Sequence, residues 1–233
     1  MTPRLTVTID GIPHTLPDGI TILDALRAAG AEVPHLCHDD RLAPVGACRM
    51  CIVRVAGQPR PVASCTTPLA DGMTIETRTD ELESLRTTNL SLAAAHYPRD
   101  AMANAPELPF HRLLAKYNPV ATRPSPAAAA PYHDDTHPLL GLDMNRCIDC
   151  YRCVRICTDV QGADVWQVWG RGPETHVAPR EHLTLLEAGC VSCGACADTC
   201  PTGARYARNA GPAPPASTAG SAASWRSASR TAG

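Results

Sequence analysis

Twelve cysteines stand in 233 residues, and they fall into three groups. Cys37, Cys48, Cys51 and Cys65 make the first, Cys147, Cys150, Cys153 and Cys157 the second, and Cys190, Cys193, Cys196 and Cys200 the third. A chain built this way must fold around whatever its thiols hold. Aromatic residues make up only 4% of it and Phe110 is the single phenylalanine, so a conventional large core is hard to build. Bound metal can supply the missing stabilisation. The amino terminus runs straight into an alternating pattern with no apolar leader. No stretch of about 18 apolar residues is present to span a membrane. A cytoplasmic location is therefore expected, and there clustered cysteines bind metal more readily than they pair as disulfides. A formal net charge of −2 argues against a nucleic-acid binder, which would carry a basic face.

The second and third groups share the spacing C-x2-C-x2-C-x3-C, and Pro201 follows the last cysteine. This is the run of bacterial two-cluster ferredoxins, in which the fourth cysteine serves the other cluster. Three thiols in a tight loop reach three irons of a cube, and the fourth iron needs a thiolate from elsewhere. One [4Fe–4S] cluster is expected on Cys147, Cys150, Cys153 and Cys200, and a second on Cys157, Cys190, Cys193 and Cys196. Gly194, Ala195 and Gly203 let backbone amides approach the cluster sulfurs. Zinc sites use well-separated knuckles, and four cysteines within eleven residues are too crowded for them. The first group has the spacing C-x10-C-x2-C-x13-C, unlike the plant-type run. Taken alone it leaves zinc as a rival. Beside two ferredoxin runs it points to a [2Fe–2S] cluster on Cys37, Cys48, Cys51 and Cys65, with Gly46 available for a tight turn.

Leu5, Val7 and Ile9 alternate as one face of a strand over residues 4–9. Asp10-Gly11 signals a hairpin turn into a second strand over 13–16. Thr21 and Asp24 read as a capping box for a helix from Ile22 to Ala29, which Gly30 ends. Strands follow at 52–55, 61–65 and 74–77. Residues 1–78 are thus expected to form one small α+β module. Leu82, Leu85 and Leu92 suggest that the helix over 79–95 packs through leucines, within a helical region over 79–116. Residues 117–138, rich in Pro and Ala, read as a linker. Residues 139–208 form the second cysteine-dense domain, and 209–233 read as a disordered tail.

The segment Leu36-Cys-His-Asp-Asp-Arg-Leu-Ala-Pro-Val-Gly-Ala-Cys-Arg-Met-Cys51 resembles the N-terminal [2Fe–2S] domain of a known family. That family comprises NAD-dependent formate dehydrogenase alpha subunits, the large electron-input subunit of respiratory complex I, and iron-only hydrogenases. The segments Arg146–Gly162 and Gly189–Gly203 look most like the formate dehydrogenase version. The resemblance covers about residues 4 to 208. It implies a β-grasp [2Fe–2S] ferredoxin domain followed by a two-[4Fe–4S] bacterial ferredoxin-like domain. In the family a further [4Fe–4S] cluster sits between these domains on H-x3-C-x2-C-x5-C. Here Tyr97, Ala101, Asn104 and Phe110 fall at those positions, so that cluster is expected to be absent. Nearby His96 reads as an ordinary histidine. The family's catalytic domain is not found in these 233 residues.

These features lead to an iron–sulfur electron-transfer subunit with no catalytic residues of its own. Its expected partners are a catalytic oxidoreductase subunit, of molybdopterin type, and a flavoprotein or NAD-reducing subunit. A free-standing polyferredoxin and a zinc-stabilised interaction module are the alternatives. His35 and His38 flank Cys37 and are expected to support the site rather than ligate, since four cysteines already satisfy it. Trp166 and Trp169 are expected to shield a cluster. Neither a G-x-G-x-x-G fingerprint nor a P-loop is present, so the chain is not expected to bind NAD or flavin.

Overall fold

The computed structural model describes residues 3–98, 100–120 and 132–208. The proposed tail and half of the proposed linker (121–131) lie outside the described residues. None of the described helices is long and apolar enough to cross a membrane.

The first unit is a mixed five-stranded sheet. Strands β1 (Arg4–Ile9) and β2 (Ile12–Pro17) form a hairpin. Its turn needs left-handed backbone at Asp10 and Gly11, with φ of 47° and 82°, the geometry that Asp-Gly supplies at least cost. Helix α1 (Ile22–Ala28) starts at the expected box, with Thr21 and Asp24 capping each other. It lays Ile22, Leu23, Ala25 and Leu26 across the sheet against Val7, Ile9, Val53 and Ile75. β1 runs parallel to β5 (Thr74–Glu76), and β3 (Ile52–Val55) pairs antiparallel with both β5 and β4 (Val62–Ala63). The cysteine loop leaves the end of α1 and returns into β3.

Three helices follow: α2 (Asp80–Ala93), α3 (Ala101–Asn104) and α4 (Pro109–Tyr117). α2 does not pack through the expected leucine stripe. Leu82 is buried, but Leu85 and Leu92 are 38% and 64% exposed. The inward face is Leu82, Arg86 and Leu90, positions i, i+4 and i+8 on one side of the helix. Arg86 is fully buried and donates to the carbonyls of Met50 and Ile52, fixing α2 to the cysteine loop and to β3. Tyr97, Ala101 and Phe110 are buried with Leu36, Met50, Leu90, Ala94 and Leu114 in one apolar cluster. Thus three of the four positions aligned with the additional cluster are core residues. Asn104 is exposed, and His96 lies outside that core.

The second unit spans residues 132–208. Within the stretch read as linker, Tyr132 donates to the carbonyl of Leu183, and Asp134 accepts from the amide of Leu185. Two short antiparallel pairs frame the cysteine runs: β6 (Leu140–Leu142) with β9 (Arg205–Ala207), and β7 (Trp166–Trp169) with β8 (His176–Pro179). The short helices α5 (Arg152–Arg155) and α6 (Ala195–Asp198) occupy equivalent places in the two runs.

A buried polar clamp joins the two units. Asp39 lies in the first cysteine loop and is only 8% exposed. It accepts from Arg41 at 2.9 Å, from Arg152 at 2.7 Å and from Thr199 at 2.7 Å. Arg152 also reaches the Leu36 carbonyl, and Arg155 donates to the carbonyls of Cys37 and Ala43. Arg41 pairs with Asp198 at 2.7 Å. Two arginines from inside the second cysteine group thereby grip the loop that carries the first. Helix α4 adds a third attachment: the Phe110 amide donates to the Pro201 carbonyl, and the Tyr97 hydroxyl contacts both His111 and the Thr202 carbonyl.

Removing one partner of a buried ion pair leaves the others uncompensated, so Asp39→Asn should cost about 3 kcal/mol. The Arg41 hydrogen bonds outweigh burial and, with Thr199 and Arg152, hold the Asp39 carboxyl well below the usual range. A depressed folded-state pKa means that this stabilisation is complete above the ordinary aspartate value of about 3.9 and fades only as pH falls below it. Phe110→Ala should cost about 3–5 kcal/mol through the cavity it leaves. Both losses are measurable by urea denaturation followed by circular dichroism.

Candidate metal centres

The first four cysteines converge at the edge of the five-stranded sheet. Cys37, Cys51 and Cys65 are buried and Cys48 is half-buried, and none is in a disulfide. The Cys51 and Cys65 sulfurs stand 3.4 Å apart, and the Cys48 amide donates to the Cys37 sulfur at 3.4 Å. Gly46 turns the loop with a φ of 60°, and a Cβ there would press on Thr66 at 3.2 Å. The turn lets the Gly46 amide donate to Cys65, and Ala47 to Cys37. Arg49, between Cys48 and Cys51, is also left-handed at 53°. The Cys37 thiol is lowered to about 5, mainly by the hydrogen bond from Cys48, with backbone amides and Arg155 adding to it against burial. Cys51 is lowered to about 6, chiefly by Cys65. Their partners Cys48 and Cys65 are pushed up by the same contacts. Inward-pointing amides around four converging thiols are the donor set that an anionic iron–sulfur group requires.

His35 and His38 hydrogen-bond to groups outside this set. His35 bonds the Val33 carbonyl and Arg27 through its two ring nitrogens, and His38 bonds Asp40 at 3.0 Å. They brace the loop from outside.

The two later groups repeat one backbone design 43 residues apart. Asp149 and Ser192 occupy the same place in the first x2 gap of each run, with φ of 50° and 58°. Tyr151 and Gly194 match in the second gap, at 59° and 77°. Left-handed residues at these two positions fold the backbone back so that its amides face the sulfurs. Accordingly the amides of Asp149, Arg152 and Thr202 donate to Cys147, Cys150 and Cys200. The amides of Ser192 and Val165 donate to Cys190 and Cys157 at 3.4 Å each. Past α5 the chain widens into one π turn over Ile156–Val160, which carries Cys157.

The thiols of the two runs mix. Cys157, Cys190, Cys193 and Cys196 line a single cavity, with Trp166 and Gly194 on its wall. Cys200 acts electrostatically on Cys150 and Cys153 of the earlier run. Cys157 thus shares a cavity with the first three cysteines of the later run, and Cys200 lies near two cysteines of the earlier one. Burial pushes the thiols of Cys147, Cys150 and Cys196 up to about 12, 11 and 11. Cys200 is also raised by burial, yet Arg205 and Thr202 bring it below its ordinary value. Among the described residues no group of three or more His, Cys, Asp or Glu side chains converges on a single-ion position. Trp166 is 1% exposed and packs among Cys153, Cys157 and Cys196, while Trp169 is half-buried against His182 at 4.4 Å.

Asp39, Arg152, Arg155 and Arg205 carry the polar structure of the site but were not among the residues expected from the sequence. Arg152 and Arg155 lie within the second cysteine group, where a charged residue between buried ligand positions is a detectable signal. Asp39 and Arg205 have no comparable local signature.

Comparison with known proteins agrees with this geometry. Residues 2–80 match the 2Fe-2S iron–sulfur cluster binding domain, and residues 137–205 match the NADH-quinone oxidoreductase subunit 3 ferredoxin-like domain. The chain is 33% identical over 209 residues to the NADP-reducing hydrogenase subunit HndD of Solidesulfovibrio fructosivorans, covering 85% of this chain and 35% of that one. It is 33% identical over 199 residues to the NADH-ubiquinone oxidoreductase 75 kDa subunit of Reclinomonas americana, covering 84% of this chain and 28% of that one. It thus spans about a quarter to a third of the length of the curated relatives it matches. A crystal structure of an NAD+-reducing [NiFe]-hydrogenase contains a chain that superposes with a TM-score of 0.73 at 28% identity, covering 91% of this chain and 90% of that one. The chain is thus similar over most of its length to part of the 75 kDa subunit of NADH-ubiquinone oxidoreductase and of the hydrogenase subunit, and it carries a 2Fe–2S domain followed by a ferredoxin-like iron–sulfur domain.

Proposed function

We propose that the chain is an electron-transfer subunit of an oxidoreductase complex, relaying single electrons between a separate catalytic subunit and an acceptor such as a flavoprotein. The observation that carries this reading is the Asp39 clamp: Arg152 and Arg155, from within the second cysteine group, hold the backbone of Leu36 and Cys37. Two sets of thiols are fixed against each other by buried contacts, as a relay needs. The names of the relatives, hydrogenase and NADH-ubiquinone oxidoreductase subunits, support an assembly of this kind.

In this reading the first unit, residues 1–78, is a β-grasp domain, and Cys37, Cys48, Cys51 and Cys65 hold one [2Fe–2S] cluster. The helical region over 79–116 leads toward a two-cluster ferredoxin domain over residues 139–208, within the second unit. There Cys147, Cys150, Cys153 and Cys200 hold one [4Fe–4S] cluster, and Cys157, Cys190, Cys193 and Cys196 hold the other. The bound clusters supply one-electron redox chemistry at potentials set by charge, hydrogen bonding and burial. The chain's own residues present thiolates, aim amides at the sulfurs and keep water away with Trp166, Leu140 and Met144.

Anaerobically purified protein should be brown and contain about ten irons per chain with as much sulfide, the sum for one two-iron and two four-iron clusters. A colourless protein carrying zinc would refute the reading. The crossed ligand sets predict that Cys157→Ala and Cys193→Ala abolish the same four-iron EPR signal, and that Cys150→Ala and Cys200→Ala abolish the other. Pairing of Cys157→Ala with Cys150→Ala would show that each run serves a single cluster.

A further inference from the structure

Arg205 is the most unusual side chain in the second unit. It sits in β9 opposite Leu142 and is only 3% exposed. Its guanidinium lies over the Trp166 ring, 4.0 Å from the centroid. Its Nε and Nη2 atoms are buried and have no hydrogen-bond partner. No carboxylate forms an ion pair with it among the described residues. The groups that act on its charge most strongly are the thiols of Cys153, Cys147, Cys200 and Cys196. The first three belong to one proposed four-iron set and the last to the other.

A buried guanidinium is costly unless an anion compensates it, and buried N–H donors normally find acceptors. Neutral thiols offer neither. An iron–sulfur cluster with its thiolates offers both, as net negative charge and sulfur acceptors. We propose that Arg205 is a potential-setting residue for the two four-iron sites, supplying a fixed positive charge and free N–H donors to their sulfurs. A fixed cation stabilises the more negative, reduced form and so raises the midpoint potential. The Trp166 ring packs against the guanidinium. Asp149, whose carboxyl also feels the charge of Arg205, does not pair with it.

This inference rests on the cluster assignment above, and metal analysis separates the two. A chain without about eight irons in its second unit contradicts that assignment, whereas full iron with unaltered potentials contradicts only the role of Arg205. The test is a dithionite titration of the full chain followed by EPR, comparing wild type with Arg205→Met and Arg205→Lys. With iron content unchanged, Arg205→Met should lower the midpoint of the cluster on Cys147, Cys150, Cys153 and Cys200 by at least tenfold in the reduction equilibrium, about 59 mV for one electron. Arg205→Lys should fall between Met and wild type. Midpoints that do not move in Arg205→Met, or a Lys variant no better than Met, would overturn the proposal. If neither variant assembles its clusters, pulsed EPR of the wild-type chain grown on guanidino-15N arginine decides the matter. A 15N coupling to a reduced four-iron cluster that persists in Arg152→Lys is expected, and its absence would overturn the assignment.

Discussion

One carboxylate holds the molecule's two halves together. Asp39 sits in the loop that carries Cys37 and collects hydrogen bonds from Arg41, Arg152 and Thr199, two of which come from the second unit. Arg152 and Thr199 adjoin cysteines of the second and third groups, so the contact joins ligand loops rather than remote surfaces. An ion pair this deeply buried brings little net stability over an apolar contact, because desolvation offsets most of the attraction. What it does give is registry. Each arginine has a planar fork that fits its acceptors in one arrangement, and the loop backbone is held where Arg152 and Arg155 place it.

The helical region between the units is built on an apolar core. In it Tyr97, Ala101 and Phe110 pack with Leu36 and Met50 from the first cysteine loop. The Tyr97 and Phe110 rings meet edge to face at 4.8 Å. Ile148, from the second cysteine group, packs on the same cluster. This apolar core reaches both flanking cysteine loops. The chain's scarce aromatic side chains are concentrated largely here and at Trp166.

Much of this was legible in the sequence because it is local. The Thr21–Asp24 box, the Asp10-Gly11 turn, the alternation of Leu5, Val7 and Ile9, and the cysteine spacings are all set within a few residues. The inward face of helix α2 was less legible. Leucine spacing pointed to Leu82, Leu85 and Leu92, whereas the buried face runs Leu82, Arg86 and Leu90. An arginine reads as a surface residue until its acceptors, the carbonyls of Met50 and Ile52, are known. The same limit hid Asp39 and Arg205. The partners that hold Asp39 from the second unit, Arg152 and Thr199, lie 113 and 160 residues away, and the groups that act on Arg205 belong to the thiol sets themselves, so no local pattern announces either role.

If the two units form one relay with their thiol sets fixed in register, reduced clusters in the intact chain must interact magnetically. The most direct measurement is that interaction, read as splitting or enhanced relaxation of the two-iron EPR signal. Full reduction of the first four-iron cluster should broaden the two-iron signal and speed its relaxation. A two-iron signal whose shape and saturation do not change as the four-iron clusters are reduced would contradict the relay.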